Sequence, residues 1–179
     1  MDLSLALARY VNGSIGIQQL PDVALAALEQ GYDSPSLRIL AGLSDIEDAW
    51  TIEVYFSATL RELALTLPEK RCAALLVAKA ISEECISGNR PVFKGVQKLL
   101  DEVINRYPFE EKNKKYAYDG IGFSEVYGLF DSLDELPFEA AWPWQKPIPY
   151  AAQVAALEQE LLLSLHNWQA WLDAELKKC

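Results

Sequence analysis

The chain has 179 residues, 51% of them hydrophobic, and its 16 basic and 26 acidic residues give a formal net charge of −10 at pH 7. A chain of this length and composition can bury a core without a disulfide or a metal. The acidic balance argues against nucleic acid as a partner, because binding to phosphates requires a basic surface. The sequence contains no run of 18 or more apolar residues, so we expect no membrane-spanning helix.

Glycine and proline residues divide the first part of the chain into short predicted helices. Gly13 and Gly31 each follow an apolar periodic segment, where glycine favours a left-handed stop. Ser34 precedes a proline, which is the typical pairing of an N-cap with a first helical residue. Ser44 and Glu47 have the spacing of a capping box and predict a longer helix. The helices predicted here span residues 3–12, 22–30, 35–41 and 45–65.

The second part of the chain has longer apolar patterns. Thr66 and Glu69 form a second capping box, and the helix predicted after them is apolar around most of its circumference. The last helix carries an apolar stripe with steps of three and four residues, and Leu162, Leu163 and Trp171 widen it. We therefore expect this helix to pack on two sides. The helices predicted in this part span residues 68–87, 91–106, 123–133 and 150–178.

These patterns predict an all-α protein of about eight helices, because no segment alternates polar and apolar residues over a convincing strand length. We expect one helical domain over residues 1–179, built as a bundle or an αα array. A polar, aperiodic loop at 107–122 is a candidate soft boundary. Residues 137–149 contain four prolines and two tryptophans, which predicts a loop before the long C-terminal helix.

The three cysteines, Cys72, Cys85 and Cys179, are widely spaced and odd in number. This pattern predicts neither a disulfide framework nor a zinc site. We expect Cys72 and Cys85 to be small core residues and Cys179 to fray at the end of the chain. Because the N-terminal segment also lacks a secretory pattern, we expect a cytoplasmic protein.

The sequence offers little catalytic chemistry. Its single histidine, His166, lies on the terminal apolar helix and is expected to be partly buried there. Neighbouring carboxylates such as Glu83 and Glu84 point to different helix faces, so they do not form an acid–base pair. Metalloprotease, phosphate-loop, dinucleotide and calcium-loop motifs are absent from the sequence. We therefore predict no catalytic residue, no metal ligand and no cofactor, and favour a protein that is not an enzyme.

The charge is distributed unevenly: the net charge is −6 over residues 1–65, +3 over 66–118 and −7 over 119–179. In the last part, acidic residues lie close to aromatic ones, a composition typical of binding surfaces. Alternatively, the acidic residues only solvate the surface and the tryptophans hold the loop against the core. The candidate partner-binding residues are Asp131, Asp134, Glu135, Glu139, Trp142 and Trp144.

Residues 28–44, LEQGYDSPSLRILAGLS, resemble an element found in small uncharacterised bacterial helical proteins. In those proteins a helix, the motif GYDSP, a short helix and the motif AGL follow one another, and some of them look like immunity or accessory proteins of toxin systems. The resemblance implies a helical bacterial protein and transfers no catalytic residue. The motif also has a structural explanation, because Gly31 can end one helix while Leu37 and Leu40 face the core.

The main hypothesis is thus a non-catalytic interaction module that binds another protein of basic character, as an immunity, inhibitor or accessory protein would. One alternative is a small-molecule-binding regulator or enzyme, with a pocket near Trp142, Trp144, Tyr150 and Trp168. A second alternative is a structural subunit of a homo-oligomer that associates through the terminal helix.

Overall fold

A computed structural model describes residues 2–44, 47–109, 118–136 and 150–179. Within these ranges the chain forms eight α-helices and no strand, which confirms the all-α prediction and the long C-terminal helix. The helices are α1 (Leu3–Val11), α2 (Leu20–Glu29), α3 (Pro35–Ala41), α4 (Ala49–Glu62), α5 (Lys70–Ile86), α6 (Val92–Leu99), α7 (Ser124–Asp134) and α8 (Tyr150–Leu176).

The chain divides into two compact units. The N-terminal unit comprises Met1–Val77 together with Cys179, and the C-terminal unit comprises Ala78–Lys178. The division falls within α5, whereas the boundary expected from the sequence was the loop at 107–122. The organisation as one domain stays a prediction.

The N-terminal unit is built around an apolar core. α3 packs against both α2 and α4, and α1 packs against α2. The rings of Tyr10 and Phe56 meet edge to face with their centroids 5.0 Å apart. The buried core residues are Leu3, Ala6, Leu7, Ile15, Leu20, Val23, Ala24, Ala27, Leu37, Leu40, Ile52 and Phe56.

Ser34 caps α3 as the sequence predicts, and Glu62 adds a contact that was not predicted. The Ser34 hydroxyl accepts a hydrogen bond from the Leu37 amide at 3.2 Å. From α4, the Glu62 carboxylate accepts bonds from the Ser36 amide at 2.9 Å and the Ser36 hydroxyl at 2.6 Å. The bond from the Ser36 hydroxyl is the main reason why the pKa of Glu62 lies below its ordinary value. The Ser36 amide lies in the first turn of α3, and Glu62 belongs to α4. The bonds between them therefore also fix how α3 meets α4.

The bounds of α4 differ from the prediction at both ends. The helix begins after Asp48, whose carboxylate accepts a hydrogen bond from the Thr51 amide at 2.9 Å, so the predicted cap at Ser44 is wrong. At the other end, Ala64 adopts a left-handed conformation with φ of 53°. The Leu65 amide then donates to the Leu60 carbonyl at 2.8 Å, which closes the helix three residues before the predicted end.

The predicted helix at 91–106 consists of two segments. α6 ends at Leu99, and residues Leu100–Ile104 form a π-helical turn. Its wider turn is visible in the bond from the Asn105 amide to the Leu100 carbonyl, five residues back, at 2.9 Å. Hydrophobic periodicity does not distinguish one wide turn from a regular one.

In the C-terminal unit, α6 lies directly against Cys85 of α5. A Cβ atom on Gly95 would stand 1.9 Å from the Cys85 Sγ atom, so this crossing requires glycine. Cys85 is buried, as predicted, and burial raises the pKa of its thiol. At this point a side chain of α5 packs directly on the backbone of α6.

Cys72 and Cys179 form a disulfide, with their Cα atoms 5.8 Å apart. This corrects the prediction that Cys72 is a reduced core residue and that Cys179 frays. The two cysteines are separated by 107 residues. Sequence spacing is informative for local cysteine motifs, but it does not show which distant residues meet after folding.

We expect Gly95→Ala to lower the free energy of unfolding by about 1–3 kcal/mol, because the new methyl group overlaps the Cys85 sulfur. In an ordinary helix the same change would stabilise by up to about 1 kcal/mol. Urea unfolding followed by circular dichroism measures the difference. In a Cys85→Ala background the sulfur is gone, and Gly95→Ala should then cost almost nothing. An equal cost in both backgrounds would refute the contact.

We expect loss of the disulfide to lower the stability of the protein. Cys179→Ser should reduce the free energy of unfolding by about 2–4 kcal/mol, because the unfolded chain regains the freedom of a long loop. Urea unfolding with and without a thiol reductant provides the comparison. The reductant should destabilise the wild-type protein and leave Cys179→Ser unchanged; an effect of equal size on both would contradict the pairing.

Candidate functional site

Three members of the predicted partner-binding set lie together at the C-terminal end of α7. Asp131 and Asp134 belong to its last turn, Glu135 is its C-cap, and all three are exposed. A helix C-terminus carries partial negative charge, so carboxylates are unfavourable there. Helix stability therefore does not account for their position.

The other three members of the set, Glu139, Trp142 and Trp144, lie outside the described residues. Their roles in partner binding stay predictions.

The beginning of α7 is held against α8 by Trp168. The indole Nε1 atom of Trp168 donates a hydrogen bond to the Ile121 carbonyl at 2.8 Å, and its ring centroid lies 4.7 Å from that of Phe123. All three residues are buried. Trp168 is therefore a core residue. The ligand pocket predicted near it includes Trp142 and Trp144, which lie outside the described residues, so that pocket stays a prediction.

A second contact joins α7 to α6. Phe130, near its end, stacks on Phe93 with a centroid distance of 4.8 Å. Val92, the neighbour of Phe93, lines a cavity together with Leu162 of α8. α7 thus contacts α8 near its beginning, through Trp168, and contacts α6 in its later part, through Phe130.

A groove of about 510 Å³ lies along α8. A second cavity of about 400 Å³ adjoins it, shares Gln159 and Leu162, and reaches the turn that contains Gly88 and Pro91. Together they form what we call the α8 groove. The residues that line the larger cavity are Ile86, Ala156, Gln159, Glu160, Leu162, Leu163 and His166.

Apolar side chains in the α8 groove are open to solvent. Leu163 is 62% exposed, although the sequence predicts that α8 packs on two sides. Burial on α8 begins only at Leu161 and continues through Leu165 to Leu172 along the predicted stripe. His166 is exposed and lines the groove, which corrects the expectation that it is partly buried.

The charge around the α8 groove is negative. Glu158 and Glu160 lie on α8 among the lining residues. Arg90 also reaches the smaller cavity, but its guanidinium is 2.6 Å from the Glu84 carboxylate, which balances its charge. Two carboxylates thus line the apolar groove.

In the described ranges, no three or more His, Cys, Asp or Glu side chains are grouped so that they could hold a metal ion. The helices of those ranges include none with the length and apolar character needed to cross a membrane.

Comparison of this chain with protein-family models, curated proteins and solved structures finds no significant match. What the resemblance of residues 28–44 implies therefore stays a prediction.

The acidic end of α7 was predicted from the sequence, because its charges lie close to aromatic residues. The α8 groove was missed, because the sequence shows that Leu163 is apolar but not whether a neighbour covers it.

The acidic end of α7 affects a tyrosine on the same helix. The Asp131 carboxylate is the main reason why the pKa of Tyr127 lies above its ordinary value, and burial, Tyr118 and Glu135 act in the same direction. A nearby negative charge disfavours the tyrosinate, which explains the sign. The rings of Tyr118 and Tyr127 also meet edge to face at 4.8 Å.

We expect Asp131→Asn to lower the pKa of Tyr127 toward that of an ordinary tyrosine, because the repelling charge is removed. NMR titration of ¹³C-labelled tyrosine follows this group individually. Glu29→Gln, which removes an exposed charge from α2, should leave the pKa of Tyr127 unchanged. An identical Tyr127 titration in the Asp131→Asn protein would contradict the interaction.

Proposed function

We propose that this chain is a non-catalytic interaction module. It binds a basic partner protein through carboxylates of its C-terminal unit. The observation that carries the proposal is an open apolar groove lined by two carboxylates, Glu158 and Glu160, in a unit with three more exposed carboxylates at the end of α7. The three on α7 are Asp131, Asp134 and Glu135. Surface carboxylates attract a basic protein from a distance, and a groove gives it apolar area to bury.

The resemblance of residues 28–44 to bacterial helical proteins supports a finer proposal. In it, the chain is an immunity, inhibitor or accessory protein that covers the basic surface of a toxin-like partner. Occlusion requires binding and no chemistry, which agrees with the sequence prediction of no catalytic residue. The net charge of −10 also favours a basic partner.

The cytoplasmic location belongs to the same proposal, but one feature opposes it. A disulfide such as Cys72–Cys179 is typical of proteins in oxidising compartments. Thiol labelling in intact cells decides this point. In the cytoplasm, Cys179 should be labelled without prior reduction, whereas in an oxidising compartment it should be protected.

The structure bears differently on the two alternatives. A groove of about 510 Å³ has the size of a small-molecule site, which favours the alternative of a ligand-binding regulator. The homo-oligomer alternative receives less support, because the charged residues on the exposed first half of α8 are Glu158 and Glu160, and a symmetric contact there would oppose like charges.

We expect the combined change Asp131→Asn, Asp134→Asn and Glu135→Gln to weaken capture of the basic partner by about tenfold at low salt. Each rim charge contributes about 0.5 kcal/mol, and three together approach a factor of ten. The measurement is affinity capture from lysate of the source organism, with quantitative mass spectrometry at low and high salt.

The matched control is the combined change Glu29→Gln, Glu47→Gln and Glu53→Gln. It removes the same net charge from exposed positions of the N-terminal unit. The control should capture the partner as the wild-type protein does. Equal capture by both triple variants, or capture that is insensitive to salt, would refute the proposed function.

A further inference from the structure

We infer that the α8 groove is the docking site for a basic amphipathic helix of the partner protein. The inference rests on the proposed function and names the element of the partner that is recognised and the surface that recognises it. In this inference Leu163 and its neighbours make the apolar contacts with the partner, and the acidic end of α7 does not.

The length and the lining of the groove fit a helix. Its lining residues on α8 run from Ala156 to His166, which corresponds to about 15 Å along the helix axis, or about three turns. Ala156 and Leu163 are exposed and Leu162 is half-buried, so they form an open apolar strip. A partner helix with apolar residues spaced by three or four positions would lie along such a strip.

The charges beside the groove specify a basic helix. Glu158 and Glu160 are one turn or less from the apolar strip, and Arg90 is already balanced by Glu84. Lysine or arginine residues flanking the apolar positions of a partner helix would meet these carboxylates. An acidic helix would be repelled, and so would the same stretch of α8 in a second copy, whose charged residues are Glu158 and Glu160.

The test uses a displayed library of helical peptides. Each peptide carries leucines with the spacing L-x-x-L-x-x-x-L, and the positions x are randomised. Selection on the intact wild-type protein should enrich lysine and arginine at the positions x. Selection on the combined variant Glu158→Lys and Glu160→Lys should enrich aspartate and glutamate instead. No enrichment, or the same residues enriched on both proteins, would overturn the inference.

A single leucine provides the matched variant. Leu163→Lys places a charge in the groove, and we expect at least about 30-fold weaker binding of the selected peptides in fluorescence anisotropy. Leu25→Lys is the control, because Leu25 is 51% exposed on α2 of the N-terminal unit. It should bind the peptides as the wild-type protein does. Both variants should keep the wild-type melting temperature, since both leucines are largely exposed.

Other outcomes separate the two proposals. If Leu163→Lys binds the peptides normally while the Asp131, Asp134 and Glu135 variant still loses its lysate partner, the groove assignment is wrong and the proposed function stands. If both variants keep the lysate partner, both proposals fail. Dimerisation that Leu163→Lys abolishes in analytical ultracentrifugation would make a second copy the occupant and overturn the basic-helix assignment.

Discussion

Trp168 is the side chain on which the geometry of the C-terminal unit depends. Its indole donates to the Ile121 carbonyl and packs against Phe123, so it fixes where α7 begins relative to α8. The ring stack of Phe93 and Phe130 then holds the later part of α7 against α6. The acidic end of α7 begins at the residue after Phe130, so its position depends on these two aromatic contacts.

The packing surface of α8 is separate from its proposed binding surface. The second half of the helix buries Leu165, Trp168 and Leu172 and carries the packing. The first half buries no residue before Leu161 and presents apolar and acidic side chains to solvent. Substitutions of the core residues in the second half should therefore mainly change the free energy of unfolding. Substitutions of the exposed residues in the first half should mainly change association with a partner.

Local signals in the sequence predict most of the fold. Gly13 and Gly31 have φ of 77° and 91° at the predicted stops, and Ser34 caps α3, because each signal acts within one helical turn. The signals fail where the cause is not local. Ala64 ends α4 in a left-handed conformation that the sequence pattern does not reveal, and Cys179 pairs with a residue 107 positions away. The exposure of Leu163 is of the same kind, since periodicity identifies an apolar face but not its neighbour.

The two components of the proposed site act on different rate constants. Carboxylates such as Asp131 and Asp134 attract a basic partner over distances near the Debye length, about 10 Å at 0.1 M salt, so they mainly raise the association rate. Leu163 acts only once its side chain is covered, so it mainly slows dissociation. Salt should then weaken binding through slower association while the lifetime of the complex stays nearly constant. A site that used charge alone would lose both together, which makes the apolar groove the feature that separates specific docking from general attraction.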